Sequence, residues 1–207
     1  WRIALSYPRA ITDGSSQKAS KFMGKKGEKK PESFLAEAVP ANGKPLKIGV
    51  ISDTHNTLNE TALRELGGVD MILHAGDVTD RVILDELCQI APVRAVRGNC
   101  DFYEPAYKPY KLAESLEIEL GGYRVFMVHQ LSEADPNRLA PELQRRWKSW
   151  QPQITIFGHT HRPEKIEKGE TLYFNPGSPS LPRRSEASIG ILHLWPEGIV
   201  AEHIVVS

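Results

Sequence analysis

Cysteine is scarce in this 207-residue chain, which has only Cys88 and Cys100. Neither stands in a Cys-x-x-Cys pair. That argues against a disulfide scaffold and a paired-thiol motif, and it fits a reducing cytoplasm. Long apolar runs are missing as well. Nothing approaches the ~20 residues that a membrane-crossing helix needs, and no signal-peptide core is visible. The expected location is therefore cytoplasmic, with no membrane partner. Net charge is lacking too, since 26 Lys+Arg balance 26 Asp+Glu. A polyanionic partner such as nucleic acid is not supported for the chain as a whole. No internal repeat is evident. What is present, 40% apolar and 25% charged residues, is the composition of an ordinary globular domain, alone or with a tail.

The zero balance hides an asymmetry. Residues 1–44 carry nine Lys/Arg against four Asp/Glu, and the remainder carries seventeen against twenty-two. The stretch GSSQKASKFMGKKGEKKPES shows no sustained period and reads as flexible. A targeting peptide, or an arm for nucleic acid or lipid, is the alternative. Because the chain opens on Trp1, its true start is expected to be missing, processed or misassigned, with Met23 an internal candidate. Residues 1–44 are thus expected to be a basic extension, and 45–207 the domain.

Within the domain, residues 47–52 read as a buried strand. A helix is expected at 59–67, stopped by Gly67-Gly68. A second strand follows at 69–74 and a helix at 80–91, with Val82, Ile83, Leu87 and Ile90 near helical spacing. Pro92 ends that helix and opens a third strand. The β-α-β-α-β order signals a parallel sheet covered by helices. The style then changes. Residues 112–120 alternate, and Gly121-Gly122 turns the chain into 123–128 as a hairpin. A helix at about 136–150 precedes strands at 153–157, 163–168, 171–175, 188–195 and 198–206. The expectation is two stacked sheets with helices on the outer faces.

Five of the apolar runs end on residues able to bind a metal. KIGVIS leads to Asp53 and His55, VDMILHAG to Asp77, and VRAVRG to Asn99. YRVFMV leads to His129, and QITIFG to His159 and His161. Parallel strands gather their carboxyl ends along one sheet edge, where ligands bind. Each short pattern alone is modest. Asp53-Thr54-His55 could be a turn carboxylate beside an imidazole, Gly76-Asp77 a turn, and Gly98-Asn99-Cys100-Asp101 an Asx loop. Gly158-His159-Thr160-His161 is rarer, and its two histidines would face one side of an extended segment. Carboxylate, imidazole and amide donors suit Mn, Fe, Zn or Ni better than Ca. Asp77 is the candidate bridge, one oxygen to each of two cations. Such a pair lowers the pKa of a shared water and clamps the oxygens of a phosphate ester.

The ordered set Asp53-Thr54-His55, Gly76-Asp77, Gly98-Asn99-Cys100-Asp101, Val128-His129 and Gly158-His159-Thr160-His161 resembles the calcineurin-like metallophosphoesterases. It is most similar to their compact bacterial and archaeal phosphodiesterase branch, as is the loop Asn175-Pro176-Gly177-Ser178. The resemblance covers about residues 46–206. It implies a four-layer α/β/β/α sandwich, with two mixed sheets flanked by helices. It implies a first metal held by Asp53, His55, Asp77 and His161, and a second held by Asp77, Asn99, His129 and His159. The ions would be Mn²⁺ first, with Fe, Ni or Zn as alternatives. Catalysis would rest on Asp77, Asn99 and Cys100, with a bridging hydroxide attacking in line. Cys100 stands where many members have a histidine that protonates the leaving oxygen. A thiol beside two cations is expected to lose its proton more easily than a free one, and so to give weak acid help. Gln130 departs from the glycine common after the ligand at His129.

The implied function is hydrolysis of small phosphodiesters. A phosphomonoesterase with the same site and a protein-interaction scaffold on the family fold are the alternatives, and a homo-oligomer is possible. Other residues read as supporting. His74 is expected to orient a ligand by a hydrogen bond. His193 and His203 are structural, Cys88 is buried packing in a helix, and Trp147 and Trp150 join a helix to a sheet, with base stacking a minor alternative. Arg183-Arg184 is a solvated loop or a phosphate contact.

Overall fold

The structure, a computed structural model, describes residues 44–101 and 112–207. The expected basic extension therefore lies outside the described residues, apart from Lys44. The strands are β1 (Leu46–Ile51), β2 (Met71–His74), β3 (Val93–Ala95), β4 (Ser115–Leu120), β5 (Tyr123–Val128), β6 (Ile154–Ile156), β7 (Pro163–Lys168), β8 (Thr171–Pro176), β9 (Ser188–Trp195) and β10 (Gly198–Val205). Three α-helices accompany them: α1 (Glu60–Glu65), α2 (Arg81–Leu87) and α3 (Pro141–Trp150).

They form two five-stranded sheets, ordered β10-β9-β1-β2-β3 and β4-β5-β6-β8-β7. Each has three parallel strands in a row, β1-β2-β3 in one and β5-β6-β8 in the other. Antiparallel neighbours make both sheets mixed. Between β4 and β5 the expected hairpin closes with Leu120 opposite Tyr123.

The continuous apolar runs are explained by burial on both faces. Alternate residues of one strand enter different cores. Leu46, Ile48 and Val50 of β1, Val125 and Met127 of β5, and Phe174 of β8 pack between the sheets. Ile51 and Ile72 face the other way, against Ala62 and Leu66 near α1 and Ile83, Leu84 and Leu87 of α2. On the far side, Phe126, Phe157 and Tyr173 pack against Leu143 of α3, with Trp147 and Trp150 beside them. The layers are α/β/β/α, as the strand pattern and the resemblance implied.

Boundaries differ where local chemistry overrides period. Asn59 and Asp80 cap α1 and α2 by accepting from Ala62 N and Val82 N. The expected helix at 136–150 opens instead with a short 3₁₀ turn at Pro136–Arg138, after another at Ser132–Ala134, and α3 begins only at Pro141. Ala140 precedes that proline and is held extended (φ −53°, ψ 146°), as the residue before proline tends to be. In α2 the buried residues are Ile83, Leu84 and Leu87, while Val82 faces solvent. Cys88 caps α2 and is exposed, contrary to the expectation of packing.

The two sheets meet at a small-to-large contact. Phe174, fully buried, lies over Gly190 of β9 and stacks on the His203 ring at 4.6 Å. His203 also donates to Asn175 O at 2.8 Å, so it is structural as expected. A Cβ at Gly190 would collide with the Phe174 ring, whereas one at Gly198 meets nothing within 4 Å. Gly190→Val is therefore expected to lower stability by about 1–3 kcal/mol in urea unfolding, and Gly198→Ala to leave the midpoint nearly unchanged.

Candidate metal centre

The donors come from both sheets. Asp53 and His55 follow β1, Asp77 follows β2, and Asn99 follows β3 beyond Val96, all from one sheet. His129 follows β5, and His159 and His161 follow β6, from the other. Their backbones leave the strands abruptly. Asp53, His55, Asp77, His159 and His161 all have φ between 43° and 68°. This left-handed region costs non-glycine residues of order 1–3 kcal/mol each, although Asp, Asn and His tolerate it best.

A glycine precedes three of the donors because the loops close on one another there. A Cβ at Gly76 (φ 98°) would lie 2.8 Å from the His129 ring. One at Gly98 would strike the Asp77 carboxylate, and one at Gly158 would strike the Ser52 hydroxyl. Backbone bonds tie the loops together, with Asp53 N donating to Gly76 O (2.9 Å) and His55 N to Asp77 O (3.1 Å).

Asp53 and Asp77 are 0% and 2% exposed. Among the described residues, the only cationic side chains that meet either carboxylate are histidines. His161 Nε2 lies 3.3 Å from Asp53 Oδ1 and 3.3 Å from His55 Nε2. Asp77 Oδ2 lies 3.7 Å from His55 Nε2 and 3.4 Å from His129 Nε2. His129 Nε2 and His159 Nδ1 both approach Asn99 Oδ1, at 3.0 and 2.9 Å. Two groups of donors thus flank Asp77. Its other oxygen, Oδ1, accepts from Cys100 N at 2.7 Å. Oδ2 thus faces the histidines of both groups, while Oδ1 keeps a second lone pair beside its bond to Cys100 N.

The histidine tautomers show that these residues fit divalent cations. A carbonyl only accepts, so His129 Nδ1–H donates to Ala75 O (2.8 Å) and His161 Nδ1–H to Leu181 O (2.6 Å). Such a bond fixes the tautomer and leaves Nε2 as the ligating atom. Both Nε2 atoms face carboxylate or amide oxygens, so acceptors meet acceptors. Divalent cations would satisfy these lone pairs together, whereas protons do so only in part. In the metal-free protein, burial pushes the His129 pKa down, but the Asp77 hydrogen bond and the Asp53 charge outweigh it and raise it. Burial opposes ionisation of Asp77, yet His129 and the Cys100 N–H hold its carboxyl well below the usual range.

Some expectations change. His159 and His161 do not face one side, because both are left-handed rather than extended. His161 turns to Asp53, and His159 to Asn99. The Cys100 thiol is pushed up to about 11, by burial first and then by Asp77. With no cation beside it, it therefore holds its proton more firmly than a free thiol, whereas the expected loss concerns a thiol beside two cations. His74 orients no donor side chain. Its Nδ1 accepts from Gly76 N (3.2 Å), so Nε2–H donates to Thr54 Oγ1 (3.1 Å), which fixes the loops instead. Arg183 and Arg184 are exposed.

Three supporting groups had no role assigned from sequence. Buried Asp101 accepts from Thr79 N and Gly98 N, both at 2.8 Å, joining the Asp77 and Asn99 loops. Asn175 Nδ2 donates to Gly158 O (2.9 Å), and Ser178 Oγ to Asp53 O (2.7 Å), so the Asn-Pro-Gly-Ser loop binds one sheet's donor loop to the other's. Ser180 Oγ donates to Thr54 O (2.8 Å). The sequence signal was the quoted loop itself, an Asx-type turn after β8. Beside Asn99, His129 and His159 opens a cleft of about 740 Å³, bordered also by Arg97, Arg138 and Leu143.

His74 is fully buried, and burial lowers its pKa from 6.5 to about 4. The native state thus binds fewer protons there than the unfolded chain. Stability should be undiminished above pH 6.5 and fall with pH toward about 4, by up to ~1.4 kcal/mol per pH unit. Burial lowers His203 in the same sense. Urea midpoints of chelator-treated protein from pH 7 to 4.5 check this, and His74→Gln is expected to flatten the slope.

Known proteins share this architecture. The sequence profile of the calcineurin-like phosphoesterase superfamily domain matches residues 46–195. A protein of Methanothermobacter thermautotrophicus named "Probable metallophosphoesterase" is 35% identical over 162 residues, covering 76% of this chain and 91% of its own. The phosphodiesterase YfcE of Escherichia coli K12 is 28% identical over 173 residues, covering 71% and 87%. The solved structure of an archaeal phosphodiesterase superposes with a TM-score of 0.63 at 25% identity, over 77% of this chain and 99% of that one. With its profile matched across both sheets and its relative aligned over three quarters of its length, the chain belongs to the calcineurin-like phosphoesterase superfamily and, like the relatives so named, is a metal-dependent phosphoesterase.

Proposed function

We propose that the protein is a dinuclear metal-dependent phosphodiesterase acting on small phosphodiesters. The observation that carries the reading is the position of Asp77, whose Oδ2 lies between His55 and His129. On one side, Asp53, His55 and His161 join Asp77 to hold a first cation. On the other, Asn99, His129 and His159 join it to hold a second. Mn²⁺ is the first choice, with Fe, Ni or Zn as alternatives, because the donors mix carboxylate, imidazole and amide. Bound as a pair, such ions lower the pKa of a shared water and offset the charge that grows on the phosphoryl oxygens.

The chain's own groups do the rest. Backbone N–H donors at His159 and Cys100 hold the two carboxylates in place. Asn99 presents its oxygen to the histidines, and its Nδ2 lies 3.3 Å from Cys100 Sγ. The cleft beside Asn99 and His159 offers space for the ester's organic part, with Arg97 and Arg138 on its border. Cys100 is taken as the general acid, and a thiol gives only weak help in that role. Esters with good leaving groups are therefore favoured. The proposed setting is cytoplasmic; among the described residues no helix is long and apolar enough to cross a membrane. The domain is taken to start near residue 45, with 1–44 a basic extension.

Metal analysis and hydrolysis of an aryl phosphodiester against an aryl phosphomonoester test this reading. Two bound ions per chain, and faster turnover of the diester, are expected. Asp77→Ala should abolish both. Chelated protein that stays inert with Mn²⁺ added would overturn the proposal, and faster monoester turnover would reassign the substrate. A second variant isolates the acid. Because general acid catalysis contributes ~10²–10⁴-fold, Cys100→His should raise turnover of an alkyl diester by about tenfold or more and change the aryl ester little. An unchanged alkyl rate would remove Cys100 from the reaction.

A further inference from the structure

Gln130 follows His129 directly at the end of β5, and its exposed side chain turns back into the centre. Its Nε2 lies 3.2 Å from Asn99 Oδ1, 3.3 Å from His159 Nδ1 and 3.5 Å from His159 Nε2. These spacings resemble those among the donors themselves, with His129 and His159 at 3.0 and 2.9 Å from Asn99 Oδ1. The amide head thus stands inside the donor group assigned to the second cation. As placed, its amino group donates to Asn99 Oδ1, an oxygen that this cation needs.

Amino hydrogens turned toward a cation are repelled by it, so cation binding favours turning the amide. Rotation about its last torsion exchanges nitrogen and oxygen at nearly constant shape, and that torsion is a soft one. The carbonyl oxygen then takes the place of Nε2, beside Asn99 and His159. We infer that Gln130 is an eighth donor of the centre, with its amide oxygen completing the second cation's set of Asp77, Asn99, His129 and His159. The inference rests on the dinuclear reading above. A neutral oxygen suits a hard or borderline divalent ion. It adds no charge, so it strengthens the hold on the ion without repelling an anionic phosphate. A glycine at this position would leave the second ion with one donor fewer.

Calorimetric titration of chelator-stripped protein with Mn²⁺ tests the inference, with the spin-coupled signal of a manganese pair as a second readout. Wild type is expected to bind two ions. Gln130→Ala should weaken the second step about tenfold or more and leave the first within about twofold, the scale seen when groups supporting a metal are removed. Gln130→Met, which keeps the length and loses the oxygen, should behave like the alanine variant. Gln130→Glu should bind the second ion at least as tightly as wild type. Unchanged binding by Gln130→Ala, recovery by Gln130→Met, or weakened binding by Gln130→Glu would overturn the inference and leave the dinuclear centre standing. A wild-type protein that takes up fewer than two ions would overturn both.

Discussion

Two carboxylates buried with no lysine or arginine partner among the described residues are the constraint on which this structure depends. Asp53 and Asp77 are almost fully withdrawn from water. Burying an uncompensated charge costs several kcal/mol, so the surroundings must supply positive potential. Backbone N–H groups of His159 and Cys100 supply part of it. The histidines supply the rest, as imidazolium in the metal-free protein or as ligands beside a cation. Each His129 or His161 ring is aimed by a backbone carbonyl on the far side of the ring. The site is organised for positive charge before any ion arrives.

That organisation is costly in backbone conformation. Five donors sit in left-handed conformations, a total of several kcal/mol at ~1–3 each. The strain persists because the loops are cross-bonded from several directions. Thr54, His74, Asp101, Asn175 and Ser178 each fasten a donor loop to a neighbouring segment. Buried apolar clusters between and outside the sheets stand behind the loops, which keeps the strand ends from shifting. Fold and centre are therefore one mechanical system. Phe174, which meets Gly190 across the sheet interface, lies in the same β8 strand whose end carries Asn175.

Much of this was legible in the chain. Two-sided burial makes a strand read as a continuous apolar run, so β1, β2, β5 and β6 stood out, and the donors stood out at their ends. Helix limits were less legible. The apolar period through Leu139 and Leu143 extends past Pro141, yet the residue before that proline is held extended and the helix starts there. Cys88 was misread because a helical position is buried only where another element packs over it, and Cys88 is exposed. The divergence of His159 and His161 was hidden because alternation presumes extended backbone, and both residues are left-handed.

The sequence by itself determined which side chains could bind metal, their order along strands, and the two-sheet architecture, because donor chemistry and hydrophobic period are local properties. Only the tertiary structure decided that Asp77 Oδ1 accepts from Cys100 N while Oδ2 faces two histidines, that burial and Asp77 raise the Cys100 pKa, and that Gln130 reaches Asn99 and His159. Each of these follows from a loop of one sheet closing on a neighbouring loop or on the opposite sheet. That closure brings together groups far apart in the chain, and no spacing along the chain encodes it.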